Sequence, residues 1–213
     1  MIPSLEYASA SGVRQVVFLS LQGAEKNPVV PHATIEAWLC ASGLTFTFVR
    51  ASFFHQNLST THASDIRDRD ELVVPAGGGA TAFVDAEDVG AVAAVALREP
   101  DRYAGAALTV TGDEALTYQQ ICDTLTAELG RTIRYPNPGI LRYLRHARRT
   151  LEMPRGMVLV TAAIYTTARF GLAAGLTSTV ADVLHRPPIR FAEFAHRERQ
   201  VWKSADLVGK DVP

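Results

Sequence analysis

Lysine is almost missing from this sequence. The 213 residues include only Lys26, Lys203 and Lys210, and the formal net charge is −1. A field that weak does not gather a polyanion over distance, which argues against nucleic acid as a partner. Cysteine is equally sparse. Cys40 and Cys122 stand far apart and read as reduced thiols rather than as a disulfide framework or a metal set. Cys40 falls on the apolar face of its helical stretch, so a buried thiol is expected there. No basic segment followed by an apolar block opens MIPSLEYASASG, so no secretory signal is read and the cytoplasm is the default location. The longest apolar stretch, Met157–Ala168, is interrupted by Thr161, Tyr165 and Thr166. It falls short of the roughly 20 residues of a membrane span, so no membrane partner is expected.

Two chemical signatures are also absent. No G-x-x-G-x-x-G occurs anywhere in the chain. The run Gly77-Gly78-Gly79 is followed by Ala80, Thr81 and an apolar strand-like segment, with no lysine, whereas a phosphate loop runs straight into a helix. It reads as a hairpin turn between Leu72–Val74 and Ala82–Val84. A tyrosine followed four residues later by lysine, the acid pair of many carbonyl reductases, does not occur either. The residues at that spacing are Ser11, Ala107, Cys122, Gly139, Ala147 and Arg169.

What is present is organised around Gly12 to Asn57. Apolar residues make up 47% of the chain, enough for one sizeable core. Val16–Ser20 and Thr45–Arg50 are strand-like and bracket a helical stretch, Pro31–Ser42, with Ile35, Trp38 and Leu39 at helical spacing. Two strands joined through a helix pair in parallel. Val16, Val17, Phe18 and Leu19 show no polar alternation, which predicts a strand buried on both faces. In open parallel sheets ligands gather beyond the carboxyl ends of the strands. Here those ends are Ser20-Leu21-Gln22-Gly23 and Arg50-Ala51-Ser52-Phe53-Phe54. Phe53 and Phe54 can pack beside a flat ring, with Asn57 as a hydrogen-bonding group; they can equally be core. His32 and Glu36 lie one helical turn apart, either as a polar pair reaching toward the strand ends or as a helix-start histidine with a surface glutamate. Two such ligands without a third make no metal site.

Further on, residues 59–71 are polar and read as surface. Asp85–Asp88 opens a helix over Val89–Leu97. Ala107–Thr111 is strand-like. Thr117 and Gln120 form a capping box that starts a helix ending at Gly130. Ile133–Tyr135 reads as another short strand. After Pro138 the pattern is helical, roughly over 139–150, 155–172, 177–185 and 191–202, a lobe able to cover strand ends. Arg142, Arg145, His146, Arg148 and Arg149 form a basic helical face, read as a solvated surface ahead of a phosphate or nucleic-acid surface.

Taken together, VVFLSLQGAEKN (16–27), PHATIEAWLCASGLTFTFVRASFFHQNLS (31–59), PAGGGATAFVDAEDVGAVAAVAL (75–97), LTVTGDEALTYQQI (108–121) and FAEFAHRERQVW (191–202) resemble the NmrA-like branch of the atypical short-chain dehydrogenases/reductases. The resemblance covers essentially the whole chain. It implies an α/β fold: a partial Rossmann-like parallel sheet over residues 1–135, lacking its first strands and glycine-rich loop, with a small, mostly helical C-terminal lobe over 136–213 interleaved with it. It implies an NAD(P) cofactor, NADP(H) ahead of NAD(H), although the phosphate-binding loop is absent from this chain. Ser20, Leu21, Gln22, Arg50, Ala51, Ser52 and Phe53 match cofactor-side positions. Phe54, Asn57 and His32 are the substrate-side candidates. The implied activity is hydride transfer to a small quinone, azo or carbonyl acceptor. The alternatives are a non-catalytic dinucleotide sensor acting through a protein partner, or an inactive fragment. Many relatives carry lysine where this chain has Thr34, so that charge is lost or moved. The family pattern places about three strands before Val16, which leaves a late recorded start, a truncated remnant or completion of the sheet by another chain.

Overall fold

The computed structural model describes residues 1–28 and 30–203. In chain order the elements are α1 (Ile2–Ala10), β1 (Gln15–Leu21), α2 (Pro31–Ala41), β2 (Thr45–Ala51), β3 (Phe53–Phe54), α3 (Gln56–Ser59), α4 (Ala63–Arg69), β4 (Ala80–Val84) and α5 (Ala86–Arg98). There follow α6 (Pro100–Tyr103), β5 (Ala107–Val110), β6 (Ala115–Thr117), α7 (Tyr118–Leu129), α8 (Ile140–Arg149), α9 (Arg155–Arg169), α10 (Thr179–Leu184) and α11 (Phe191–Glu198). The chain forms two compact units. Among the described residues the first holds 1–54, 84–113 and 177–188; the second holds 55–83, 114–176 and 189–203. Residues after 136 are thus divided between both units.

The first unit is a parallel sheet in the order β1-β2-β5. Ser20 stands opposite Arg50, and Arg50 opposite Thr109. Period-two alternation sends β2 side chains to two helical layers. Phe46 and Phe48 face Leu39, Ile35 and Trp38 of α2. Val49 and Ala51 face the valine stripe Val89, Val92 and Val95 of α5, together with Val180 and Val183 of α10. Asp85 caps α5, its carboxylate accepting from the Glu87 amide at 2.9 Å.

β1 departs from expectation. Phe18 and Ser20 are buried, but Leu19 is 52% exposed. Among the described residues β1 pairs only with β2, so it is the outer strand of this three-stranded sheet rather than a central one. Cys40 is exposed, and it is Cys122 that is buried. The α2 face that meets the sheet is set by Ile35 and Leu39, and Cys40 points away from it.

The second unit is mainly helical. Its β4 pairs antiparallel with β6. The predicted hairpin around Gly77–Gly79 does not form. Leu72–Pro75 lies in no strand, and the Leu72 amide instead donates to the Arg134 carbonyl at 2.9 Å. Ile133–Tyr135 is likewise a single bridge, Arg134 to Glu71, rather than a strand. Gly79 is required by closeness: a Cβ there would stand 1.8 Å from the Ala168 carbonyl oxygen. The predicted capping box of α7 is present, with the Gln120 amide donating to Thr117 Oγ1 at 3.2 Å.

The polar segment 59–71 is not surface throughout, because it carries fully buried Asp65 and Ile66 and nearly buried His62. Its charged groups alternate with these around the short α4. His62 Nε2 and Tyr165 Oη are 2.6 Å apart. Burial keeps the His62 imidazole neutral and pulls it down to about 4, a trend that Asp65 opposes and His146 reinforces. A group whose folded value lies below its unfolded one favours the folded state at higher pH. Stability should therefore fall as pH drops from about 6.5 toward 4, by up to about 3 kcal/mol. Urea unfolding of the wild type and His62→Gln across that window checks this, and the variant should show the flatter profile.

Candidate functional site

The carboxyl ends of β1, β2 and β5 lie at one level of the first unit, because the register aligns Leu21 with Ala51 and Ala51 with Val110. The chain is held at that level by backbone bonds just past the strands. The Gln22 amide donates to the Ala51 carbonyl at 2.9 Å, and the Ser52 amide to the Val110 carbonyl at 3.0 Å. Thr111 and Thr177 complete the rim. The Thr177 amide donates to Thr111 Oγ1 at 2.9 Å, and Thr177 Oγ1 to the Thr109 carbonyl at 2.7 Å.

Arg50 sits at the centre. Its Nε donates to Glu36 Oε1 at 3.0 Å and its Nη2 to Glu36 Oε2 at 2.6 Å, a bidentate fork. Its Nη1 lies 3.2 Å from Glu25 Oε2. One guanidinium thereby ties β2 to α2 and to the short turn after β1. Burial alone would raise the Glu36 carboxyl. The Arg50 guanidinium, helped by Ser20 and His32, outweighs burial and holds Glu36 below the usual carboxylate range. The Glu36 hydrogen bond correspondingly raises Arg50. Ser20 Oγ is near enough to favour the ionised carboxylate but not within hydrogen-bond geometry. The surface-glutamate alternative for Glu36 is overturned, since only 6% of the residue is exposed.

Each predicted site residue has a definite place. Ser20 and Ala51 are buried, while Leu21, Gln22, Arg50, Ser52, Phe53 and Phe54 are half-buried. Phe54 packs on the valine core of the first unit. His32 is half-buried in the first turn of α2, its ring 6.0 Å from that of Phe18. Asn57 belongs to the second unit, on α3, where its carbonyl accepts from the His62 amide at 3.1 Å. Three buried polar atoms around the strand ends have no hydrogen-bond partner among the described residues: Ser20 Oγ, Ser52 Oγ and His32 Nδ1. Buried polar atoms without partners are uncommon in a finished core, so this is where a ligand's polar groups would be satisfied. The tyrosines of this unit, Tyr7 and Tyr103, sit on α1 and α6 rather than at the strand ends. The Glu25 and Glu36 contacts of Arg50 were not apparent from the sequence. The four-residue spacing of His32 and Glu36 signalled a shared face but not the partner across the sheet.

Glu36→Gln, which keeps the shape and removes the charge, should cost about 2 kcal/mol, because the half-buried Arg50 guanidinium keeps only the more exposed Glu25 carboxylate as a charged partner. A double-mutant cycle with Arg50→Met, read by urea unfolding, should give a coupling of about 2 kcal/mol; additive losses would show that the fork is not a coupled pair.

The NmrA-like family model matches residues 6–166. The NAD(P)H azoreductase of Xenophilus azovorans is 34% identical over 195 residues, covering 88% of this chain and 66% of the relative. The chain thus spans about two thirds of that relative's length. Among solved structures, the NADPH-dependent quinone oxidoreductase of Escherichia coli in complex with NADPH superposes with a TM-score of 0.80 at 23% identity, covering 91% of this chain and 68% of the other. The negative transcriptional regulator NmrA in complex with NAD gives 0.68 at 17%, covering 95% and 69%. The parallel sheet with flanking helices is the fold of these Rossmann-like proteins, and the chain belongs to the NmrA-like family.

Proposed function

We propose that this chain serves an NAD(P)H-dependent reductase, with the carboxyl ends of β1 and β2 receiving the nicotinamide end of the dinucleotide. The observation that carries the reading is the set of unpartnered buried atoms, Ser20 Oγ, Ser52 Oγ and His32 Nδ1, gathered where an open parallel sheet receives ligands. The two serine hydroxyls suit the amide and ribose hydroxyls of a dinucleotide, and the imidazole is left for the acceptor. Leu21, Gln22, Ala51 and Phe53 would line the same ledge, and Arg50 would hold its shape through Glu36. The dinucleotide, when bound, supplies the hydride. Phe54 and His32 would meet a small quinone, azo or carbonyl acceptor, with His32 Nδ1 able to hold or pass a proton. Family membership and the azoreductase and quinone oxidoreductase relatives support this choice of acceptor class.

A sensing role is the second reading. It is favoured by the lack, among the described residues of the first unit, of a tyrosine at the strand ends and by Thr34, an exposed neutral residue where the family resemblance implies lysine. The two readings differ in turnover.

Calorimetry with NADPH and a panel of quinone, azo and carbonyl acceptors tests the proposal. NADPH binding should weaken about tenfold in Ser52→Val, the loss of one well-placed hydrogen bond. Acceptor reduction should fall on the order of a hundredfold in His32→Ala with NADPH affinity little changed. NADPH binding without turnover on any acceptor would favour the sensor. No binding of NADPH or NADH would overturn both.

A further inference from the structure

The basic face of α8 does not simply face solvent. Arg142, Arg145 and Arg149 follow one another at i, i+3 and i+7, so they share a stripe with His146. In the second unit that stripe meets the end of α4 across a cavity of about 260 Å³ whose lining includes Arg69, Glu71, Arg142, Arg145, His146 and Arg149. That is the share of about nine water molecules at roughly 30 Å³ each, enough for a phosphate or diphosphate.

The carboxylates nearby are already engaged. Glu71 accepts from Arg69 at 2.8–2.9 Å. Asp65, fully buried, meets His146 Nε2 through its Oδ2 at 2.7 Å and Arg69 Nε through its Oδ1 at 3.6 Å. Arg142, Arg145 and Arg149 have no hydrogen bond or ion pair with a protein group among the described residues. Four guanidinium groups therefore line one cavity with a single carboxylate, Glu71, which is tied to Arg69, while the buried Asp65 is tied to His146 and Arg69. Like charges are brought together at a cost in repulsion that an anion would relieve. Guanidinium forks match phosphoryl oxygens in pairs. The Asp65 contact fixes the His146 ring beneath them.

We propose that this cavity binds a multiply charged oxyanion, a diphosphate or a phosphate monoester, on Arg142, Arg145 and Arg149 with Arg69 at its rim. It is built wholly from the second unit, whereas the strand-end ledge belongs to the first, and it does not depend on the dinucleotide reading.

Calorimetry on the whole chain at low salt tests it, with inorganic pyrophosphate, inorganic phosphate and glycerol phosphate as probes. Pyrophosphate should bind with 1:1 stoichiometry and weaken as salt rises. Each of Arg145→Gln and Arg149→Gln should lower its affinity about tenfold, while Arg148→Gln, on the same helix but outside the cavity lining, should leave it unchanged. Binding of glycerol phosphate as tightly as phosphate would assign the site to monoesters; pyrophosphate tighter than both would assign it to diphosphates. Equal losses in all three variants, or binding of a polyanion such as heparin with none of the small probes, would overturn the proposal. Circular dichroism of each variant confirms that these exposed positions leave the fold intact.

Discussion

The Arg50–Glu36 fork is the interaction on which the first unit's ledge depends. A parallel strand ends by handing its chain to an irregular segment, and such a segment needs something to hold it. Here a guanidinium on the next-to-last residue of β2 reaches both the helix that follows β1 and the turn that precedes that helix. The pair is mostly withdrawn from solvent, so it acts in a medium where charge is felt strongly. Its value is geometric as much as energetic. Removing Arg50 strands the buried Glu36, while the intact fork holds the end of β2 against α2, beside the strand ends that carry Gln22 and Ser52.

The second unit is organised by a different device. Polar groups are buried in a chain of contacts: Tyr165 to His62, and Asp65 to His146. Around them Tyr118, Phe83, Tyr143 and Tyr165 meet edge-to-face. Burial drives Tyr118 and Tyr165 far above the usual phenol range, so neither serves as a proton donor of ordinary strength. These groups specify packing. The fully buried Trp202 closes the unit by donating its indole N–H to the Leu58 carbonyl at 2.9 Å.

Much of this was legible in the sequence. β1, α2, β2, α5 and α7 follow from apolar spacing and from caps at Pro31, Asp85 and Thr117, which are local signals. The ledge residues followed from topology, since strand ends in a parallel sheet are a property of order rather than of any single side chain. What could not be read was tertiary. Leu19 looks like a central-strand residue, and only the pairing shows that β1 has a single neighbour among the described residues. The segment 59–71 looks polar, and only the fold buries Asp65 and His62. The glycines at 77–79 suggested a turn between strands, whereas Gly79 answers to the close passage of the Ala168 carbonyl, nearly ninety residues away in sequence. Likewise the arginine stripe on α8 reads as a solvated face until Arg69 and Glu71 are placed opposite it.

Amide hydrogen exchange with and without NADPH, in the wild type and in Glu36→Gln, tests the role of the fork most directly. If the fork-held strand ends receive the dinucleotide, the amides of Gln22 and Ser52 should slow when NADPH binds the wild type, and that protection should shrink in the variant while α7 exchanges alike in both. Protection elsewhere with none at Gln22 and Ser52, or protection undiminished in Glu36→Gln, would contradict it.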